Sequence, residues 1–369
     1  MVINRKKYRI ILSCSVFILS LIGIYMILES SYVWANFIFN DGYYYFKRQC
    51  IYLLFGIFIF YLGYKIDIIK IEKYAFKFLL FTYSLLTLVL IPTIGQTKNG
   101  SSSWLGFSFL SFQPSEFFKL SIILYMASFI KKNYKKSDDL KIYIKPLILL
   151  AIGFILIMLQ PDFGTCMVIM IGVISIVFAS KFQIKWFILL SILGIIAITV
   201  IILTSEYRFL RIKAFLDPFS DPLGSGFQII QSLYVIGPGG LIGQGINSSI
   251  QRYYYLPEPQ TDFVFSILIE EFGLIGGIIV IGLYILILYC SFQLIRSNKN
   301  VFKSYLDLGL LIIIFSQVFI NLGVVTSLIP VTGVTLPLLS YGGSSLIVVL
   351  FSFGLIINHS EDKYEDIIS

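Results

Sequence analysis

Residues 186–203 read WFILLSILGIIAITVIIL, a continuous apolar run without a single charged side chain. A helix needs about twenty mostly apolar residues to cross the hydrocarbon core of a bilayer, so this run predicts a membrane-spanning helix. The composition agrees, because 57% of the 369 residues are hydrophobic and only 13% are charged. Soluble domains typically carry about 25% charged residues. The sequence therefore predicts an integral membrane protein.

Ten such runs predict an all-α polytopic fold with about ten transmembrane helices in a single domain, residues 1–369. The predicted spans are residues 10–28, 50–66, 75–93, 113–130, 146–160, 163–180, 186–203, 263–290, 304–327 and 340–357. The fifth span is short, and we expect it to form a tight hairpin with the sixth around the sequence QPDFGT. Residues 204–262 form a long loop between the seventh and eighth spans, and long structured loops often carry function.

The net charge of +8 predicts the orientation of the chain in the membrane. Most of the 28 Lys and Arg residues lie in short segments that face the cytoplasm if the N-terminus is cytoplasmic. This asymmetry follows the positive-inside rule. It predicts that both termini are cytoplasmic and that the loop 204–262 is on the outer side. No nucleic-acid recognition motif accompanies the basic charge, so we expect no nucleic-acid partner.

Four ionisable residues stand out inside predicted spans, where such side chains are costly and default to a functional hypothesis. Glu116 and Lys119 are three residues apart and share one helix face. They could form an internal ion pair with Lys119 snorkelling to the interface. Alternatively, Lys119 projects into a water-filled cavity and meets an anion there. Glu270 and Glu271 lie deeper in the eighth span, and we expect a structural role for both.

Asp262 lies at the outer mouth of the eighth span, after Pro257 and Pro259. One interpretation is a carboxylate stabilised by the helix dipole, with Thr261 as the N-cap. The other is a general base at the membrane surface. The spacing alone leaves both open.

Arginine residues on the outer side could bind phosphate, because guanidinium groups match phosphate oxygens bidentately. The alternative is ordinary solvated loop charge. The four cysteines and the single histidine, His359, show no metal-type spacing, so the residues predict no metal centre.

Seven motifs resemble the SEDS family (shape, elongation, division and sporulation), which includes RodA, FtsW and SpoVE. They are FKRQ at 46–49, SSSWLGFSFLSFQPSEFFKL at 101–120, QPDFGT at 160–165, YRFLRIKAFLDPF at 207–219, GFQIIQSLYVIGPGGLIGQG at 226–245, YLPEPQTDFVFSILIEEFG at 255–273 and IPVTGVTLPLLSYGGSS at 329–345. The motifs occur in family order and cover nearly the whole chain. The last two look more like the FtsW and SpoVE branch than like RodA.

The resemblance implies a peptidoglycan glycosyltransferase that polymerises lipid II at the outer face of the bacterial cytoplasmic membrane, in division, sporulation or elongation. It implies that the protein partner is a class B penicillin-binding protein, which is a transpeptidase. It also implies contact with the lipids of the membrane. A divalent cation, Mg²⁺ or Mn²⁺, could assist. The rival hypothesis is a transporter that flips lipid II. A third, a scaffold that only recruits a partner, would not explain why Lys119 is buried.

The resemblance also assigns site residues. Asp262 matches the essential aspartate of the family, and Lys119 matches its cavity lysine. The other predicted substrate-binding residues are Glu116, Arg48, Arg211, Asp162 and Arg252. The chain departs from the family pattern at Ser103, because a basic residue often precedes the tryptophan that is Trp104 here. No phosphate contact is therefore assigned to position 103.

Overall fold

The computed structural model describes residues 4–98, 101–107, 110–136, 139–246 and 259–358. Within these residues the helices are α1 (Arg5–Phe39), α2 (Tyr44–Lys65), α3 (Ile68–Val89), α4 (Pro114–Lys132), α5 (Leu140–Met158), α6 (Phe163–Ala179), α7 (Ile184–Leu203), α8 (Glu206–Leu216), α9 (Phe227–Ile236), α10 (Val264–Ser297), α11 (Val301–Val325) and α12 (Gly343–Ile356). Short 3₁₀ turns are found at Tyr134–Lys136, Pro218–Ser220 and Gly237–Gly239.

Every predicted span coincides with a helix. The first seven spans correspond to α1–α7 and the last three to α10–α12. Among the described residues, six of these helices are long and apolar enough to cross a membrane: α1, α2, α5, α7, α10 and α11. Helices α6 and α12 are apolar but shorter. The prediction of a helical membrane protein is confirmed, and the count of ten spans stays a prediction.

Helices α4 and α11 form the centre of the bundle. Most side chains of both are buried, and α4 packs against α3, α6, α11 and α12. Helix α7 is equally apolar, yet none of its residues is buried within the chain. A helix that is apolar all round needs either protein or lipid around it. The bundle thus buries α4 and α11 and leaves α7 for the bilayer.

A small antiparallel sheet, which the sequence does not predict, precedes α4 in the otherwise helical fold. Its strands are β1 (Gly95–Lys98), β2 (Ser101–Phe107) and β3 (Leu110–Phe112), in the order β1-β2-β3. The first outer motif forms β2 and β3. Pro114 then occupies the first turn of α4, where its missing N–H leaves no hydrogen bond unmade.

Helix α10 is interrupted at Gly273, whose backbone has φ 66° and ψ −167°. The segment 240–245 fills the interruption with backbone hydrogen bonds on both sides. Gln244 N donates to Glu270 O at 2.9 Å, and Leu274 N donates to Gly240 O at 3.0 Å. Broken helices are tolerated at membrane depth only where protein satisfies the freed backbone groups, as it does here.

The long loop 204–262 is structured over much of its length, because it contains α8 and α9. The interruption of α10 gives the loop a second anchor through the segment 240–245. The loop thus fixes the short first part of α10, residues 264–272, at whose start Asp262 lies.

Candidate active site

The loop between α11 and α12, residues 326–342, makes several of the contacts that hold the Asp262 segment, and we call it the hub loop. Tyr341 N donates to Gln260 O at 2.8 Å, and the Ser340 hydroxyl donates to Thr261 O. The same hydroxyl accepts from Leu336 N at 2.8 Å. The hub loop therefore holds the chain immediately before Asp262 in place.

Asp262 is half-buried against the hub loop. Its Oδ2 atom lies 3.9 Å from the position that a Cβ on Gly333 would occupy, and Gly333 has φ +74°. Glycine adopts this left-handed conformation without the steric cost that other residues incur. Asn321 Nδ2 donates to both Asp262 O and Val334 O at 2.8 Å. The backbone of Asp262 is thus fixed from α11.

The capping interpretation of the Asp262 segment is wrong in its register. Helix α10 begins at Val264, and its N-cap is Phe263, which makes no side-chain capping hydrogen bond. Thr261 is therefore too early in the chain to cap the helix. Asp262 precedes the cap, in a turn between the hub loop and the helix.

Two arginines lie beside the hub loop, Arg211 through a direct hydrogen bond and Arg48 through its neighbour Gln49. Arg211 Nη1 donates to Val331 O in the hub loop at 2.8 Å, and its guanidinium lies 4.5 Å from the Tyr207 ring. The guanidinium of Arg48 lies 4.2 Å from the ring of Tyr44. Both arginines are half-buried, and neither has a carboxylate partner among the residues that the structure describes. Arg252 lies outside those residues.

Lys119 and Glu116 form a buried ion pair in α4, with 2.7 Å between Lys119 Nζ and Glu116 Oε1. The predicted ion pair is confirmed. Snorkelling to the interface is wrong, because Lys119 is only 2% exposed. Lys119 borders a cavity that has room for about one water molecule. The proposed anion contact of Lys119 stays a prediction.

The cavity lies between α4, α11 and α12. Its atom-free space is about 270 Å³, including the part that opens to its surroundings. Polar side chains reach it from all three helices: Glu116 and Lys119 from α4, Gln317 from α11 and Ser352 from α12. The other lining residues are aliphatic. It is a polar site in an apolar interior.

Asp162 has structural contacts in this state. Its Oδ1 accepts from Thr165 N at 3.1 Å and so caps α6, while its Oδ2 accepts from Gln113 Nε2 at 3.0 Å. The predicted hairpin of the fifth and sixth spans is confirmed, because α5 ends at Met158 and α6 begins at Phe163. Substrate binding by Asp162 stays a prediction.

The motifs converge on the hub loop from several elements. Gln49, beside Arg48, donates to Ser340 O at 3.4 Å. A Cβ on Gly164 would lie 2.7 Å from Thr332 O, so the start of α6 packs directly on the loop. Gln113 N donates to Ser344 Oγ in the first turn of α12 at 3.0 Å. Segments far apart in sequence thus surround Asp262.

Helix α11 connects Asp262 with the Lys119 cavity. Asn321 holds the Asp262 backbone, and Gln317 lines the cavity. Residues four apart lie on one helix face, about 6 Å along the axis. The carboxylate and the buried ion pair are therefore at neighbouring levels of α11.

The sequence analysis missed three polar residues of α11. Gln317 and Asn321 have uncharged amide side chains in an apolar run, so a search for ionisable residues inside spans does not find them. Asp307 is fully buried and pairs with Lys303, with 2.8 Å between Lys303 Nζ and Asp307 Oδ2. The spacing of four residues between Lys303 and Asp307 was the signal that could have revealed the pair.

The described residues contain no group of three or more His, Cys, Asp or Glu side chains that could hold a metal ion. The Mg²⁺ or Mn²⁺ ion therefore stays a prediction.

Comparison with known proteins decides the family. A family model described as "Cell cycle protein", FTSW_RODA_SPOVE, matches residues 9–365. The chain belongs to this family. This FtsW/RodA/SpoVE-family protein is 41% identical over 340 residues to stage V sporulation protein E of Bacillus subtilis (strain 168), covering 92% of this chain and 93% of the relative.

A second relative is a probable peptidoglycan glycosyltransferase FtsW of Geobacter sp. (strain M18). It is 36% identical over 356 residues, which are 96% of this family member and 97% of the relative. A solved chain described under "structural coordination of polymerization and crosslinking by a peptidoglycan synthase complex" superimposes with a TM-score of 0.77 and 31% identity, covering 96% and 98% of the two chains. The predicted likeness to SpoVE and FtsW is confirmed.

Proposed function

We propose that this FtsW/RodA/SpoVE-family protein is a peptidoglycan glycosyltransferase that joins lipid II units at the outer face of the cytoplasmic membrane. The observation that carries the proposal is the half-buried Asp262 held at the hub loop, which Arg211 contacts directly and Arg48 adjoins through its neighbour Gln49. The relative named peptidoglycan glycosyltransferase FtsW supports the same activity.

In the proposed reaction, the acceptor sugar hydroxyl attacks the anomeric carbon of the donor. A new carbon–oxygen bond forms while the bond from that carbon to the undecaprenyl pyrophosphate breaks. The α-linked donor yields a β linkage, and the leaving group departs as the pyrophosphate. Asp262 accepts the hydroxyl proton, which is the role of a general base.

The leaving pyrophosphate needs cationic stabilisation, which is often the largest catalytic contribution. Arg48 and Arg211 are suited to it because no carboxylate of the described residues neutralises them. Lys119 contributes only after it exchanges Glu116 for the pyrophosphate. In the present state the cavity has room for about one water molecule, so this exchange requires α4 to separate from α11 and α12.

The second candidate is a lipid II flippase. The buried Lys119–Glu116 pair favours it, since a polar site between helices also suits a transporter. The enzyme is the stronger candidate because a carboxylate lies against the hub loop with two arginines beside that loop, and a flippase needs no proton acceptor there.

We propose a class B penicillin-binding protein as the partner. Its support is the structural likeness to a chain of a peptidoglycan synthase complex in which polymerisation and crosslinking are coordinated. We also propose that the protein lies in the cytoplasmic membrane with both termini inside, as the Lys and Arg asymmetry predicts.

The experiment is polymerisation of pure lipid II in liposomes that contain the purified protein, with and without the cognate partner carrying an inactive transpeptidase site. We expect glycan chains, and faster synthesis with the partner. Lipid II flipping is measured in the same liposomes. Flipping without glycan chains would replace the enzyme by the transporter, and the same rate without the partner would remove the proposed dependence on it.

A further inference from the structure

The Lys119 cavity contains two buried oxygen atoms with no hydrogen-bond partner in the described part of the chain: Glu116 Oε2 and Gln317 Oε1. Glu116 is 4% exposed and Gln317 is 3% exposed, and both line the cavity. Buried polar atoms are nearly always hydrogen-bonded, to protein or to ordered water, so each such atom calls for a partner.

The chemistry of these two atoms restricts the partner. Both are acceptors, so they cannot satisfy one another and each needs a donor, which one group bound between them in the shared cavity can supply. The Lys119 ammonium carries three donors, of which one is used by Glu116 Oε1 in the hydrogen bonds of the described residues. A bound cation would be repelled by Lys119. A neutral group with two donors and one acceptor meets every requirement.

A water molecule is such a group, and the cavity has room for about one. It would donate to Glu116 Oε2 and Gln317 Oε1 and accept from Lys119 Nζ. Buried waters typically make about three hydrogen bonds. The fourth polar residue of the lining, Ser352, donates its hydroxyl to Val348 O in its own helix at 2.7 Å, and the other lining residues are aliphatic.

We infer that Gln317 is a positioning residue, which holds the Lys119–Glu116 pair in place through a water molecule bound between Gln317 and Glu116. The expected effect of Gln317 on the reaction rests on the proposed function, because the orientation of Lys119 matters only if Lys119 contacts the leaving pyrophosphate. Asn321, one turn further along α11, holds Asp262. Helix α11 therefore fixes the position of the proposed base, Asp262, relative to the buried Lys119.

Two measurements test the inference. The first is an experimental structure of the wild type and of Gln317→Met at a resolution that shows ordered water. Met keeps the length of the side chain and removes its polar atoms. We expect density for one water between Glu116 and Gln317 in the wild type and none in the variant. A wild-type cavity without that density would overturn the water site, whether or not the protein polymerises lipid II.

The second measurement is the rate of lipid II polymerisation by Gln317→Met, with Ser316→Ala as the control on the neighbouring position of α11. The Ser316 hydroxyl bonds only its own helix, to Ile313 O at 2.8 Å. We expect kcat to fall about tenfold for Gln317→Met with little change in KM and no loss of thermal stability, because a positioning role acts on the transition state. Ser316→Ala should match the wild type.

Two results would overturn the positioning role. One is an unchanged kcat for Gln317→Met. The other is a loss of activity that a lower melting temperature of the variant fully explains. A wild type that makes no glycan at all would instead refute the proposed function, and the water site would still be judged on its density.

Discussion

At the scale of single residues, the Lys119–Glu116 pair has two possible roles that a single substitution cannot separate. Both side chains are almost completely buried. Removing one partner of such a pair leaves an uncompensated charge and costs about 3–5 kcal/mol, whereas replacing both is often neutral. Lys119→Met alone therefore lowers stability whatever its role in the reaction.

The double variant Lys119→Met/Glu116→Gln resolves this. We predict that it melts close to the wild type but polymerises lipid II far more slowly, because the cation for the pyrophosphate is lost. Melting temperature and glycan synthesis are measured on the same detergent-purified samples. Recovery of both stability and activity in the double variant would show that Lys119 is structural.

The sequence predicts this pair because a spacing of three residues in a helix brings side chains together, whereas the role of Asp262 is implied by the resemblance to the SEDS family. It does not reveal Gln317 or Asn321. Their roles depend on which side of α11 faces α4 and the hub loop, and that is decided by tertiary packing.

At the scale of elements, the interruption of α10 requires a glycine at position 273. Gly273 has a positive φ, and a Cβ there would lie 2.4 Å from Gly243 N and from Leu241 O. Neither atom can move cheaply, because both belong to the backbone that fills the interruption. A left-handed conformation also costs a non-glycine residue roughly 1–2 kcal/mol.

We predict that Gly273→Ala lowers both the melting temperature and the polymerisation rate, since the short helix that follows Asp262 loses its anchor. Gly282→Ala is the matched control in the same helix, because nothing lies within 4 Å of its added Cβ. It should be neutral or slightly stabilising, as Ala is favoured over Gly in helices by about 1 kcal/mol. Equal melting temperatures for the two variants would contradict the requirement for glycine at position 273.

Hydropathy predicts the helices but neither the interruption nor the sheet. An apolar run of residues 263–290 looks continuous, and only the contacts with segment 240–245 show why Gly273 can leave helical geometry. The strands before α4 are short and rich in serine, and strands of this kind are stabilised by their neighbours in the sheet. Both features depend on contacts that the local sequence does not encode.

At the scale of the whole molecule, the distribution of Lys and Arg predicts the orientation. A reporter fused after Lys136 should be cytoplasmic, and one placed near Ser225 should be on the outer side, because basic loops remain inside. Paired fusions at the two sites check this. The opposite labelling at both sites would reverse the orientation and place Asp262 on the side away from the growing wall.

The central claim is that Asp262 is the general base of a glycosyltransferase, and Asp262→Asn tests it most directly. Asn keeps the size of the side chain, and α10 does not use Asp262 as its N-cap, so the fold should persist. The measurement is the rate of glycan synthesis by wild type and variant in liposomes with equal lipid II and cognate partner, with protein insertion as the control. We predict a rate lower by about 10²–10⁴-fold, the usual contribution of general base catalysis. Polymerisation at the wild-type rate would contradict the account.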